Sequence, residues 1–389
     1  MRFIRADEFC ASVRDGTHDT PKPTEIGYKL VTGKHIKNGQ IDPSDAYCIS
    51  EKDYKKINER SLVEQWDVLM SMIGTVGEVA VVKDCPQYAI KNIALFKCGK
   101  SELKGKWLAY YLMSSNAQGH ITGNQKGSSQ QFLSLKQLRS LPVPITDERY
   151  MQEVIGILST YDDLIENNQK QIKLLEEAAQ RLYKEWFVDL RFPGHENTKI
   201  VDGIPEGWEE QRLSEIADIV MGQSPKSEFY NSEAEGLPFH QGVGSYGTRF
   251  VRDSVYSTSY TRIAEAGSIL FSVRAPVGRL NITKNKVVIG RGLAAINHKT
   301  GMQSYLFYLL KERFFKDNII GNGSIFASIS KDELLEQKFL IPINGLVKAF
   351  NNIAKSIDGK IAILVDQTTL LIEARDRLLP RLMNGDIEI

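Results

Sequence analysis

The chain has 389 residues, of which 42% are hydrophobic and 25% charged, and its formal net charge is +1. This length predicts two or three domains, and the composition is normal for a globular protein, which excludes a disordered, collagen-like or disulfide-scaffold chain. The sequence has no apolar run of about 18 residues, no signal peptide at its start and no CxxC pair among its four cysteines, so we expect a cytoplasmic protein with reduced thiols and no membrane partner.

Short strands and turns are predicted first along the chain. The segment Asp15-Gly16-Thr17-His18 opens this part, and His18 is expected to orient a turn. Alternating apolar residues at 67–73 predict a strand that ends in a glycine turn at 74–77. The window 83–139 holds nine basic and two acidic residues. Such a window favours contact with a polyanion, although a solvated surface is an equally good interpretation.

A long helix with a coiled-coil seam is predicted next, over 147–192. Its seam residues alternate at spacings of three and four, which is the pattern of a heptad repeat. A buried polar residue such as Asn168 would fix the register of the pairing. The alternative is a core helix of the neighbouring domain, although core helices are seldom so long. The seam residues are Leu158, Tyr161, Ile165, Asn168, Ile172, Leu175, Leu182 and Trp186.

The second half of the chain repeats the first at an offset near 200 residues. The segment 268–278 repeats 67–77, and 339–343 repeats 141–145. Because the matches keep their order, they predict a duplicated domain and not a solenoid. A second basic window, 249–316, holds twelve basic and three acidic residues, whereas 147–191 between the windows holds ten acidic and six basic residues.

A second long helix is predicted over 344–389, with a seam in the same register at Ile357, Ile361, Leu364, Leu371, Leu378 and Leu382. The two helices would pair as an antiparallel coiled coil, which gives the chain pseudo-two-fold symmetry. The first seam covers 29 residues, or about 43 Å at ~1.5 Å per residue. Half-sites one turn apart on DNA are separated by ~34–36 Å. The predicted fold is therefore mixed α+β, with similar domains at 1–146 and 193–343, and it suits a DNA target split into two halves.

The sequence lacks the motifs of an enzyme. The segment 242–247 matches GxGxxG, but 248–260 reads as a strand, whereas a dinucleotide site needs a helix there. A GxxxxGK[ST] phosphate loop and an Asn/Asp-Pro-Pro-Tyr/Phe methyltransferase loop are both missing. The six histidines lack close metal-ligand spacing. We therefore expect no catalytic residue, no metal site and no cofactor bound by this chain.

Five segments resemble the specificity subunit of type I restriction–modification systems. They are Asp15-Gly16-Thr17-His18-Asp19-Thr20-Pro21, Pro205-Glu206-Gly207-Trp208, Gly222-Gln223-Ser224-Pro225 with Tyr230-Asn231, the helix block 174–187, and the tail 378–385. The resemblance covers essentially the whole chain, and it rests on the order, spacing and duplication of these segments. One departure is that the first domain lacks a counterpart of Trp208. The first copy would be trimmed there, with the C-terminal tail packing near it.

This resemblance implies a non-catalytic DNA-binding subunit. Each of two target-recognition domains would read one half of an asymmetric, bipartite duplex sequence. The two helices would space the domains and dock two methyltransferase subunits, which carry S-adenosylmethionine. Restriction subunits would join the larger complex.

Each copy has two loops that are candidates for DNA contact, because Lys, Arg and small polar side chains bind phosphates and base edges. The first loop contributes Lys91 and Asn92 in one copy, and Arg274, Arg279 and Arg291 in the other. The second loop is glycine-rich and contributes Asn124, Lys126, Ser128, Ser129 and Gln130 in one copy, and Asn322 and Ser324 in the other. A third candidate is the set Lys34, His35 and Asn38. Ordinary turns are the alternative for each residue.

The amino-acid sequence alone is also compatible with two other classes of protein. A structural adaptor, which binds protein partners through its coiled coil without sequence-specific DNA recognition, would explain the seam but not the two basic windows. A self-contained DNA-modifying enzyme would need cofactor motifs that the sequence lacks.

Overall fold

The structure is a computed structural model that describes residues 2–123, 132–314 and 328–387. The chain forms two compact units. The first unit comprises Met1–Ile165 with Thr369–Ile389, and the second comprises Glu166–Thr368. Each unit contains one mixed domain and parts of both long helices, and the predicted α+β fold is confirmed. Among the described helices, none combines the length and apolarity needed to span a membrane.

The first unit is built around a four-stranded antiparallel sheet. Across the sheet its strands are Ser12–Asp15, Ile93–Lys97, Val68–Ser71 and Val79–Val81. Smaller sheets contain Cys48–Ile49, Tyr28–Val31 and Tyr88–Ile90; Arg2–Arg5 with Pro142–Ile145; and Ile36–Lys37 with Gln40–Ile41. The short helices are Ala6–Phe9, Glu51–Ser61, Glu102–Met113, Ser115–Gly123 and Leu135–Arg139, with a 3-10 turn at Gly33–His35.

The second unit repeats this plan. Its four-stranded sheet contains, in order, Ala217–Met221, Leu293–His298, Ile269–Ser272 and Leu280–Ile282. A five-stranded sheet contains Tyr230–Asn231, Tyr256–Ser257, Leu237–His240, Val287–Ile289 and Ile263–Ala264. The paired strands are Glu209–Arg212 with Lys338–Ile341, and Ile200–Val201 with Ile204–Pro205. The helical segments are Leu213–Ile216, Gln303–Phe314 and Lys331–Leu335, with 3-10 turns at His195–Asn197, Ser227–Phe229 and Val243–Ser245.

The central strands of both sheets are buried on their two faces. Val68 and Met70 pack into one hydrophobic cluster, whereas Leu69 packs into another. The corresponding strand of the second unit has the same arrangement: Ile269 and Phe271 pack into one hydrophobic cluster, and Leu270 packs into another. Successive side chains of a strand point to opposite faces, so a run of apolar residues here indicates apolar cover on both sides.

The two long helices are Glu148–Phe187 and Asn344–Asn384. The first begins where the Asp147 carboxylate accepts a hydrogen bond from the Tyr150 amide at 2.9 Å, which satisfies one of the free amides of the first turn. The second continues through Pro380 and ends before Gly385, whose φ of +77° belongs to the left-handed region that favours glycine.

In the first unit the long helices run antiparallel. The Tyr150 hydroxyl donates to the Leu382 carbonyl at 2.9 Å, and Arg375 Nη1 lies 2.8 Å from Asp162 Oδ1. The residue number thus rises along one helix as it falls along the other. Leu382 and Met383 pack into the core of the first domain, which confirms that the C-terminal tail packs against this domain.

The helices also run antiparallel in the second unit. Ile172 packs with Ile361 and Leu364, and the rings of Tyr183 and Phe350 lie 5.6 Å apart. All predicted seam residues are covered in their own unit. The buried ones are Leu158, Ile165, Asn168, Ile172, Trp186, Ile361, Leu364 and Leu382. The half-buried ones are Tyr161, Leu175, Leu182, Ile357, Leu371 and Leu378.

Candidate nucleic-acid interface

Each unit contains a hairpin turn closed by a buried serine, which we call a serine turn: 71–78 in the first unit and 272–279 in the second. Ser71 Oγ donates to the Thr75 carbonyl at 2.5 Å and accepts from the Glu78 amide at 2.9 Å. Ser272 Oγ makes the same pair of bonds, to the Pro276 carbonyl at 2.6 Å and from the Arg279 amide at 2.8 Å. The duplication therefore extends to single hydrogen bonds.

At the end of the first strand of each four-stranded sheet, a glycine lies in close contact with the backbone of another segment; we call this contact a glycine crossing. The Gly16 amide donates to the Ile93 carbonyl, and the Gly222 amide donates to the Leu293 carbonyl, both at 2.9 Å. A Cβ atom on Gly16 would lie 2.4 Å from the Ile90 oxygen, and one on Gly222 would lie 2.1 Å from the Gly290 oxygen. Only glycine allows these backbones to approach so closely.

Alanine at either crossing is expected to destabilise its own unit by about 1–3 kcal/mol, the range for overpacking a filled interior. The reason is that the added methyl group meets backbone, which yields less readily than a flexible side chain. Urea unfolding of Gly16→Ala and Gly222→Ala measures the loss. Gly156→Ala is the control, because a Cβ there meets nothing within 4 Å and alanine suits a helix. Equal stability of all three variants would contradict the close approach.

In the first unit the predicted residues Lys91 and Asn92 lie beside the DGTH segment. His18 Nδ1 is 2.8 Å from Asn92 Oδ1, and His18 Nε2 is 3.0 Å from Asp15 Oδ2. Lys91 Nζ donates to the Thr20 hydroxyl. His18 thus joins the segment after the first strand to the loop that carries both candidates, which is the turn-orienting role expected for it.

Arg60 is a member of this cluster that sequence reasoning missed. It comes from the helix Glu51–Ser61, and its guanidinium pairs with Asp15, whose side chain is 8% exposed. A separation of 45 residues leaves no periodic signal for such a pair. The ion pair fixes the carboxylate that His18 contacts.

In the second unit the three predicted arginines lie on two neighbouring loops. Arg274 is exposed and Arg279 half-buried on the serine turn, whereas Arg291 is exposed on the loop 290–292. The Val273 amide donates to the Gly292 carbonyl at 2.9 Å, which joins the two loops. Arginine is the side chain that most often reads guanine edges and also binds phosphates. These loops therefore form the candidate interface of this unit.

The glycine-rich candidates lie outside the described residues; they are Asn124, Lys126, Ser128, Ser129, Gln130, Asn322 and Ser324. The first described residue after each of these segments pairs with a serine turn. Phe132 forms a bridge with Ile73, and Ser328 forms one with Arg274. The chain thus returns to the same place in both copies.

In the third candidate set, Lys34 and His35 already make contacts within the protein. His35 is buried, its Nδ1 accepts from the Thr32 amide at 2.8 Å, and burial lowers the pKa of its imidazole. Lys34 Nζ lies 3.2 Å from Asp45 Oδ2. Asn38 is exposed in a left-handed conformation, with φ of +52°. Of the three, Asn38 is the side chain most open to a ligand, because Lys34 is held by a carboxylate.

The GxGxxG segment 242–247 lacks the geometry of a dinucleotide site. It contains only the three-residue 3-10 turn Val243–Ser245 and no full helix to receive a pyrophosphate. The prediction of a strand over 248–260 was wrong. Within this fully described stretch the strand residues are Tyr256–Ser257, and Phe250 and Val251 form single bridges. Among the described residues no cluster of three His, Cys, Asp or Glu side chains is placed to hold a metal ion.

Comparison with known proteins connects both units to one family. A model described as the type I restriction modification DNA specificity domain matches residues 7–177 and 205–367. The MjaX specificity subunit of a type I restriction enzyme from Methanocaldococcus jannaschii is 29% identical over 390 residues, covering 97% of this chain and 91% of the relative. The MjaIX specificity subunit from the same organism is 25% identical over 359 residues, covering 88% and 82%.

A solved structure has the same fold. It is a type I restriction-modification system S subunit from M. genitalium, with a TM-score of 0.55 and 17% sequence identity. The match covers 98% of this chain and 95% of that chain. None of the relatives described here is a structural adaptor.

Proposed function

This chain belongs to the type I restriction modification DNA specificity family, and we propose that it is the subunit that gives such a complex its DNA sequence specificity. Each unit reads one half of a split duplex target. The observation that carries this proposal is the pair of serine turns. The hydrogen-bonded frame is the same in both, but the corresponding side chains are Ile73 in the first unit and Arg274 in the second. The same turn geometry with different side chains suits the recognition of two DNA half-sites that differ in sequence.

The proposed partners are two methyltransferase subunits, which bind S-adenosylmethionine and perform the chemistry, and restriction subunits in the larger complex. Leu174 and Leu370 on the long helices support docking of a partner protein, because their side chains are 63% and 64% exposed and exposed large apolar residues favour interfaces. This chain contributes no catalytic step and holds no cofactor of its own. We place its action in the cytoplasm, where the complex meets cellular DNA.

Duplex binding tests this proposal against the adaptor alternative. We expect the affinity of the chain with its methyltransferase partner for duplex DNA to fall steeply with salt, with a log–log slope of about −0.9 per phosphate neutralised. Lys91→Ala, which removes a candidate phosphate contact, is expected to reduce that slope by about 1. Duplex binding that is absent or indifferent to salt would favour an adaptor.

A further inference from the structure

A cavity of about 390 Å³ lies within the second unit. Its walls come from the loop 243–249, the serine turn with the strand that follows it, the helix Gln303–Phe314 and the first long helix. Three cationic side chains line it, Arg249, Arg279 and Lys311, against the single carboxylate of Glu176. A cavity of this size is in the range that holds a small ligand, about 300–1,000 Å³.

Arg249 is the central side chain of this cavity. The residue is 2% exposed, and its guanidinium carbon lies 3.5 Å from the ring centroid of Phe307. Nη2 donates to Asp358, and the Tyr308 hydroxyl lies 3.4 Å away. These contacts fix the guanidinium plane and use one of its three nitrogens.

The other two nitrogens of Arg249 lack acceptors. Nε and Nη1 donate no hydrogen bond to any described residue, and Glu176 Oε1, at 3.9 Å from Nη1, lies beyond hydrogen-bond distance. A buried N–H group without an acceptor is costly, and more so when it belongs to a charged side chain. The arrangement therefore calls for an acceptor inside the cavity.

The charge of the lining selects an anion. Arg279 and Lys311 add two cations, so that the three cations outnumber the two carboxylates, Glu176 and Asp358, that lie around them. Burial raises the pKa of Glu176, whereas Arg249 and Lys311 lower it. The Asn281 amide nitrogen donates to the Gly247 carbonyl at 3.0 Å, and its oxygen has no donor among the described residues. The site thus offers several N–H donors, with the Asn281 oxygen and the Glu176 carboxylate as acceptors, which suits a phosphate group accompanied by a hydroxyl.

The first unit has a different arrangement at the corresponding position. Ala80 and Asn281 occupy the same register position, beside Leu69 and Leu270 of the neighbouring strands. Bridges place Gly39 beside Ala80, and Phe250 beside Ile282, the residue after Asn281, so Arg249, which precedes Phe250, corresponds to Gly39. The Tyr308 hydroxyl donates to Asp358 at 3.4 Å, and the same kind of contact recurs in the first unit, where the Tyr110 hydroxyl donates to Asp162 at 2.6 Å. There the aspartate pairs with Arg375 of the second long helix. Because Gly39 has no side chain that could supply a buried cation, the anion-selective lining belongs to the second unit.

We propose that this cavity binds a small phosphate-bearing molecule that also carries a hydroxyl group, with Arg249 as its main anchor and Arg279 and Lys311 as supporting cations. The main anchor of this site is the buried guanidinium of Arg249, which is not one of the candidate DNA contacts, whereas Arg279 belongs both to the cavity lining and to the candidate DNA interface.

Titration calorimetry of the full chain with inorganic phosphate at constant ionic strength tests the site. We expect saturable binding, and a loss of affinity of about tenfold or more in Arg249→Met, because hydrogen bonds to a charged donor are the strong ones. Arg313→Met is the matched control: it removes an exposed arginine from the helix that carries Lys311, and its phosphate affinity should equal that of the unmodified chain.

A second variant covers the case in which Arg249→Met fails to fold. Thr248 is exposed and lines the cavity, so Thr248→Trp fills the cavity while leaving the Arg249–Asp358 pair in place, and it should also lose phosphate binding. Absence of saturable binding to the unmodified chain, or equal affinity in Thr248→Trp, would overturn the proposal. Displacement of phosphate by duplex DNA would overturn the small-molecule assignment in favour of a DNA backbone phosphate, and simultaneous binding of both would support it.

Discussion

Replacing Ile361 with aspartate is expected to abolish recognition of both halves of the DNA target at once. Ile361 is fully buried and packs with Ile172 and Leu364 between the two long helices. An uncompensated charge at such a place costs about 3–5 kcal/mol, which is a large part of the stability of an ordinary protein. Each unit contains parts of both long helices, so separating the helices disturbs both units.

Urea unfolding of the isolated chain and sequencing of the methylated DNA measure this effect together. Ile363→Asp is the matched control for stability, because it is the same substitution two residues away at a side chain that is 53% exposed. Its unfolding free energy is expected to change by no more than about 0.5 kcal/mol. If Ile361→Asp kept either half-site, the helices would not be the shared support of the two domains.

Replacing Arg274 with alanine is expected to change the second half-site alone. Arg274 is exposed at the serine turn of the second unit, so its loss should leave folding nearly unchanged. If it pairs with a base, its loss costs about 1–3 kcal/mol of discrimination at one position, which would appear as a relaxed base in the methylated motif. The first half-site should be unaffected.

Arg212→Ala provides the control for this variant. Arg212 is also an exposed arginine of the second unit, but it pairs with Glu336 at 3.2 Å on the strand Glu209–Arg212. Methylation by this variant should retain the full motif. A relaxed base in the first half-site of Arg274→Ala would show that the assignment of domains to half-sites is wrong.

Local patterns allowed the repeated framework to be predicted from the sequence. Ser71 and Ser272 lie at a constant offset in matching runs, and the same hydrogen bonds form around both. The heptad spacing likewise anticipated which faces of the long helices are covered, from Leu158 to Leu382. Both features depend on neighbours in the chain, where periodicity carries information.

Contacts between distant segments could not be predicted. Arg249 lies 109 residues from Asp358, and Arg60 lies 45 residues from Asp15. The strand predicted over 248–260 was wrong in extent, because only Tyr256–Ser257 form a strand there, and Arg249 instead contacts Asp358 and Phe307, which are distant in the chain. The DNA-reading roles of individual loop residues stay predictions, since no spacing rule relates a side chain to a base.

Single-molecule sequencing of methylated DNA tests the DNA-reading role most directly, in cells that express this chain with its methyltransferase partner and in cells that lack only this chain. We expect a methylated motif of two different, defined halves around an unspecified gap, present in the first culture and absent from the second. The same methylated motif in both cultures, or a single undivided motif, would contradict the claim that this chain reads a split target.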